Sequence, residues 1–299
     1  MASRDMGAPL SILIPTKNEE QNIAKCLSSV AWADEIYVVD SSSSDRTSEI
    51  AARMGAKVVD FHWDGVGPRK KNWALEHLPW KHDWVMVVDA DEEATPALAR
   101  EVTALVNSDS QYSGFRAPYL YYFLGRFLRH GEPICKLILF KHQLTRFEKM
   151  DVPEVTGYDV ELHEHPLVNG AVGHLSSYML HRDFHNMHRY IQRHNIYSDW
   201  EALLRTRYRA RAAEGEIRPR MFGSALERRR YLKRLFLSTP GKPLLYFLYS
   251  YVLRAGFLDG RQGFAFSVLK AIYYYHISIK EYEIQLRESG YLNPENRQA

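Results

Sequence analysis

Only two cysteines occur in 299 residues, Cys26 and Cys135, and they lie far apart. That rules out a disulfide framework and any Cys-based zinc spacing, and it makes a reducing, cytoplasmic compartment the expectation. The opening, MASRDMGAPLSILIP, lacks a basic start and has an apolar run of only about six residues, too short for a secretory signal. Long hydrophobic runs are equally scarce. The longest uncharged stretch of the C-terminal third, PLLYFLYSYVL (243–253), is about half of the roughly twenty residues that a spanning helix requires, so the chain is expected to rest on a membrane rather than cross one. Internal repeats and low-complexity tracts are absent too.

The first 110 residues are richly patterned. LSILIP, EIYVVD, AKVVDF and DWVMVVD are apolar runs with little polar alternation, as expected of strands covered on both faces. Ile23, Leu27 and Val30 recur at helical spacing, and a second helix follows Asp45 and Thr47, which suit its start. Strand and helix in alternation imply a parallel, doubly wound α/β sheet, with ligands beyond the carboxyl ends of the strands. The segments there are PTKNEE, DSSSSDRT, HWDGVGPRKKN and DADEE. From 111 to 180, aromatics and glycine dominate an irregular stretch expected to complete the same domain. Helical spacing returns after 183, where Met187, Tyr190, Ile191, His194 and Tyr197 form one apolar stripe. Residues 1–182 are therefore read as the sheet domain and 183–299 as a helical region.

VVDADEE (87–93) sets four carboxylates in five positions after a buried strand. Acidic residues favour a helix N-terminus, but Thr95-Pro96 already supplies an N-cap and a first-turn proline. Asp89 and Asp91 are thus free to hold a hard divalent cation, Mg²⁺ or Mn²⁺, which would relieve their repulsion and bind a diphosphate. Glu92 and Glu93 are read as bystanders. Asp40, ending the second strand, suits contact with a nucleobase N–H, whereas Asp45 and Thr47 are read as caps. GVGPRKKN joins glycines and cations before a helix and suits a phosphate, although it matches no P-loop and a solvated basic loop fits it too. Glu164, between His163 and His165, is a candidate general base. His194 is assigned to the core.

Taken together, these residues resemble the family-2 glycosyltransferases of GT-A fold, and more narrowly the bacterial branch containing lipopolysaccharide inner-core glucosyltransferases. The resemblance rests on IPTKNEEQNIAKCLSSVAWADEIYVVDSSSSDRT, GVGPRKKNWAL, VMVVDADEE, FLGRFLRHG, LHEHPLVNGAVGHLSSYMLH, NIYSDWEA and RAGFLDGRQGF. It implies that Pro15, Thr16, Asn18, Glu19 and Asp40 line a nucleotide site, with Lys71 near the diphosphate. It makes Asp89 and Asp91 a metal-binding Asp-x-Asp motif, with Asp91 the direct ligand, Glu164 the catalytic base and His181 a further metal or phosphate contact. The expected reaction is inverting, metal-dependent transfer of a hexose from a nucleotide diphosphate sugar, a UDP-sugar by preference, to a hydroxyl of a lipid-linked glycan such as lipopolysaccharide core. KLILF departs from the family's KLRLF at Ile138, and GEPIC from its Gly-rich loop, both on the expected acceptor side.

Arg205 to Arg234 carries eleven Lys and Arg against three Glu. With the aromatic-rich segments that follow, it suits an anionic lipid surface and a peripheral location on the inner face of the cytoplasmic membrane. A solvated face over an ordinary helical core is the alternative. Three rival functions fit the residues less well. A non-catalytic binder of nucleotide sugar or glycan would not need Asp89, Asp91 and Glu164 together. A sugar-phosphate nucleotidyltransferase would carry glycine in PTKNEE. Nucleic-acid binding lacks a recognition helix or aromatic platform.

Overall fold

Apolar runs whose successive residues face opposite ways need cover on both sides, and strand β1 (Ala8–Thr16) finds it: Leu10, Ile12 and Ile14 enter one core cluster and Leu13 another. The computed structural model describes residues 7–64, 68–148, 165–208, 219–223, 227–228, 231–232, 235–236, 239 and 241–291. The chain forms two units, one of residues 1–122 and 133–183, the other of 123–132 and 184–299.

In the first unit, β1 pairs in parallel with β2 (Ala33–Asp40) and β4 (Trp84–Val87), and β3 (Lys57–Asp60) extends the sheet beyond β2. Helices α1 (Ile23–Val30), α2 (Thr47–Arg53), α3 (Lys70–His77) and α4 (Pro96–Val106) accompany them. Helix α1 buries Ile23, Cys26, Leu27 and Val30, the face set by its helical period. In α4 the Thr95 hydroxyl accepts the Leu98 N–H at 3.1 Å, with Pro96 in the first turn, the cap read from the sequence.

The remaining strands are β5 (Glu92–Ala94), β6 (Gly114–Phe123), β7 (Arg126–Leu128, in the second unit), β8 (Ile134–Lys141), β9 (Thr145–Phe147), β10 (Pro166–Val168), β11 (Val172–His174) and β12 (Met179–His181). The sheet runs β3-β2-β1-β4-β8-β6-β12-β5, while β9 and β10 pair antiparallel to each other. Strand β8 is antiparallel to both β4 and β6, and β12 is antiparallel to β5 with His181 opposite Glu92. The expected α/β architecture with a mostly parallel sheet and a helical C-terminal region is present. Ile138 on β8 is buried in the first core cluster, so the KLILF departure concerns packing and not an acceptor face.

The second unit contains α5 (Met187–Tyr208), α6 (Lys242–Phe247), a π-helical stretch (Leu248–Leu253), a 3-10 turn (Gly256–Asp259) and the long α7 (Gly260–Glu288). Lys280 on α7 donates to the Asn195 carbonyl at 2.8 Å and meets Asp199 at 2.6 Å, while buried Glu281 takes Arg205 and Lys242 at 3.7 and 3.5 Å. These contacts bind α5, α6 and α7 together. Residues 123–132, assigned by sequence to the first domain, belong here instead, because Phe123 and Leu128 pack with Tyr190 and Phe266. Tyr190 is buried and His194 stacks on it at 3.9 Å, but Ile191 is 51% exposed, so the apolar stripe is narrower than its spacing implies. Among the described residues, no helix is long and apolar enough to cross a membrane.

Candidate functional site

Two strand-end loops interlock at the carboxyl edge of β1 and β2. The Thr16 hydroxyl donates to Asp40 at 2.8 Å, and Asp40 also accepts the N–H of Ser43 at 2.7 Å and its hydroxyl at 2.6 Å. Asn18 sits at φ 56°, a left-handed conformation that its short amide tolerates, donates its N–H to Ser43 Oγ at 2.7 Å and accepts the Ser44 N–H at 2.8 Å. Glu19 N–H reaches Thr47 Oγ1 at 2.7 Å, and Glu20 N–H reaches Asp45 at 3.1 Å. PTKNEE and DSSSSDRT therefore form one ledge, with Pro15 paired to Val39 in the strands beneath it. Asp40 faces protein donors on all three of these hydrogen bonds. Asp45 accepts the Thr47 N–H at the start of α2, in keeping with its reading as a cap, whereas Thr47, read as a cap with it, is the first residue of the helix and spends its hydroxyl on Asp45 and the Glu19 N–H.

Helix α3 joins this ledge to the acidic turn. Lys70 is buried and donates to the Thr16 carbonyl at 3.1 Å, while neighbouring Lys71 lies 3.9 Å from Asp89. Asn72 anchors the helix by a two-way bond to the Phe147 backbone, donating to its carbonyl at 3.0 Å and accepting its N–H at 2.7 Å.

At the end of β4, Asp89 faces Lys71 and Lys136. Burial alone would raise its pKa, but Lys71, then Lys136 and His181, outweigh burial and hold the carboxyl well below the usual carboxylate range. Beneath it, Glu92 is 1% exposed and fully engaged: it takes Lys136 at 2.6 Å, the Tyr119 hydroxyl at 3.1 Å and the Asp89 N–H at 3.1 Å. Glu92 is thus the support of the turn and not a bystander. Glu93 meets Arg182 at 2.6 Å.

The β5–β12 pairing explains how His181 reaches Asp91. Arg182 N–H bonds the Asp91 carbonyl at 2.9 Å, closing the ladder, and His181 Nε2 lies 3.1 Å from the Asp91 carboxylate. Burial lowers the His181 pKa, but the hydrogen bond to Asp91 and the charges of Asp91 and Glu92 override this and hold the imidazole above its ordinary value. Its ring is edge-on to Tyr121 at 4.6 Å, and Nδ1 is sealed from solvent without a hydrogen bond. Asp91, His181 and Asp183 bring one ligand atom each within 4.8 Å of one another. Two carboxylates and an imidazole fit a divalent cation; the nitrogen favours Mn²⁺ over Mg²⁺, which prefers an all-oxygen shell.

Lys71, Asp89, Asp91 and His181 thus converge, while Thr16, Asn18, Glu19 and Asp40 build the ledge that α3 ties to them. Glu164 lies outside the described residues. Sequence reasoning missed Asp183, Lys136, Glu92, Lys70 and Asn72. Asp183 had a signal: His-x-Asp in an extended segment puts both side chains on one face.

The model of the family described as Glycosyl transferase family 2 matches residues 11–165. An uncharacterized glycosyltransferase of Rickettsia bellii is 40% identical over 103 residues, 34% of this chain and 34% of that protein. The lipopolysaccharide core biosynthesis glycosyltransferase LpsC of Rhizobium meliloti is 33% identical over 120 residues, 38% of this chain and 43% of that protein. These matches span less than half the length of either relative. Among solved structures, glucosyl-3-phosphoglycerate synthase from Mycobacterium tuberculosis, in complex with Mn²⁺, UDP and glucosyl-3-phosphoglycerate, is 24% identical with a TM-score of 0.30, covering 39% of this chain and 45% of that one.

Proposed function

The chain belongs to glycosyl transferase family 2, and on that premise we propose that it transfers a hexose, with inversion, from a UDP-sugar to a hydroxyl of a lipid-linked glycan such as lipopolysaccharide core. The observation that carries this reading is the convergence of Asp91, His181 and Asp183 beside the Lys71–Asp89 pair at the carboxyl end of the sheet. The similarity to LpsC over 120 residues supports the acceptor class.

In this reading the ledge of Pro15, Thr16, Asn18, Glu19 and Asp40 receives the nucleoside, and Lys71 exchanges Asp89 for the diphosphate. Mg²⁺ or Mn²⁺ bound by Asp91, with His181 and Asp183 and with Asp89 on the nucleotide side, would neutralise charge on the diphosphate leaving group. Glu164 removes the proton of the acceptor hydroxyl as that oxygen attacks the anomeric carbon from the face opposite UDP. No covalent enzyme intermediate is needed. The lipid-linked acceptor and the basic stretch from Arg205 to Arg234 together support a peripheral location on the inner face of the cytoplasmic membrane.

Two variants test the assignment. Asp91→Asn should weaken Mn²⁺-dependent UDP binding by at least about tenfold, and unchanged binding would remove Asp91 as a ligand. Glu164→Gln should still bind UDP yet lose transfer, and normal turnover in that variant would refute the base.

A further inference from the structure

Between Lys242 and Phe264 the second unit folds back through a tightly constrained corner. Asp259 is buried, and its carboxylate accepts the N–H of Arg129 at 2.9 Å and of His130 at 2.8 Å. Gly256 and Gly263 approach so closely that a Cβ on Gly263 would lie 2.0 Å from the Gly256 carbonyl oxygen. Tyr251 stacks with Phe247 at 5.3 Å and meets Phe257 and Phe264 edge-on at 6.2 and 5.5 Å. Backbone held this way cannot rotate its outward side chains into a core.

Those outward side chains are apolar. Leu244, Leu248, Leu253, Phe257, Leu258 and Phe264 are 44 to 77% exposed. Leu244 and Leu248 lie one helical turn apart, and Phe257 and Phe264 share Tyr251, which itself stacks on Phe247 in that turn, so the exposure is grouped along one short segment rather than scattered singly. The exposed charges within this segment have one sign. From 241 to 264 the only acidic residue is buried Asp259, whereas Arg254 and Arg261 are exposed. A second copy docked through the same face would set these guanidinium groups against their own images. Apolar tips among exposed cations, with no exposed carboxylate between 241 and 264, complement an anionic bilayer.

We propose that this corner inserts its leucine and phenylalanine tips into the hydrocarbon of an anionic bilayer, with Arg254 and Arg261 at the lipid phosphates. It, rather than the arginine-rich stretch alone, then fixes the protein to lipid. The inference rests on the peripheral-membrane part of the proposed function and narrows it to a defined contact.

The full chain is tested with vesicles of phosphatidylglycerol and phosphatidylethanolamine that contain no glycolipid. The double variant Leu253→Ser/Phe257→Ser, checked for an unchanged melting temperature, should lose at least about tenfold in partitioning. Leu253→Trp should show blue-shifted emission that brominated acyl chains quench. If wild type and double variant bind equally and no quenching occurs, the corner is not the contact, although the membrane reading stands. If wild type ignores the vesicles, both fall together. If ultracentrifugation finds a wild-type dimer that the double variant splits, a second copy covers this face and the inference is overturned.

Discussion

Glu92 spends both carboxylate oxygens inside the protein, on Lys136, the Tyr119 hydroxyl and the backbone of Asp89. Removing one partner of a buried charge costs more than the pair is worth, because the other charge is left unpaired. Lys136→Met should therefore lower unfolding free energy by about 3 kcal/mol. Combining it with Glu92→Gln should cost about 1 to 2 kcal/mol less than the sum of the single changes, measured by urea unfolding. His194 makes a pH prediction. Burial, with Lys270 second, pushes its pKa down to about 4, while the unfolded imidazole titrates near about 6.5. Between those values the unfolded state binds the extra proton, so stability falls as pH falls through the window. Allowing for partial exposure, the loss should be roughly 2 kcal/mol by about pH 4, and His194→Gln should lack it in urea unfolding at several pH values.

Helix α3 has no side-chain cap, and its position depends on Lys70 and on the two-way bond of Asn72 to Phe147. Asn72→Ala orphans a buried N–H and a buried carbonyl together and should cost about 2 to 3 kcal/mol. Because Lys71 rides on the same helix, UDP affinity should fall too, which isothermal titration would read. At this scale sequence and structure agree where order is local. β1 to β4, α1 and the Thr95 cap were legible because apolar period and cap chemistry are written within a few residues. Lys136 and Asp183 were not, because antiparallel β8 and β12 carry them in from 47 and 92 positions beyond Asp89 and Asp91, and no local pattern encodes a register. The transfer of 123–132 to the second unit escaped for the same reason: only the partners of Phe123 and Leu128 reveal it.

Charge over the whole chain is unevenly shared. Arg205 to Arg234 holds eleven cations against three glutamates, a surplus of eight in a chain of net +3, so the other residues carry −5. If this stretch steers the protein to anionic lipid, raising salt from about 0.05 M to about 0.5 M should reduce vesicle adsorption by at least about tenfold. The part held by the apolar corner should persist, since burial of hydrocarbon is not screened. Co-sedimentation across a salt series separates the two.

The pairing of β12 with β5 also sets an order in time. Asp89 and Asp91 leave the ribosome about ninety residues before His181 and Asp183 do. A nascent chain that has already built its parallel strands holds Asp91 but neither His181 nor Asp183, so the candidate cation site of the proposed function waits on the last strand of its sheet to be made. If the proposed function holds, loading with metal would be, in effect, a report that the first unit has been synthesised to its end.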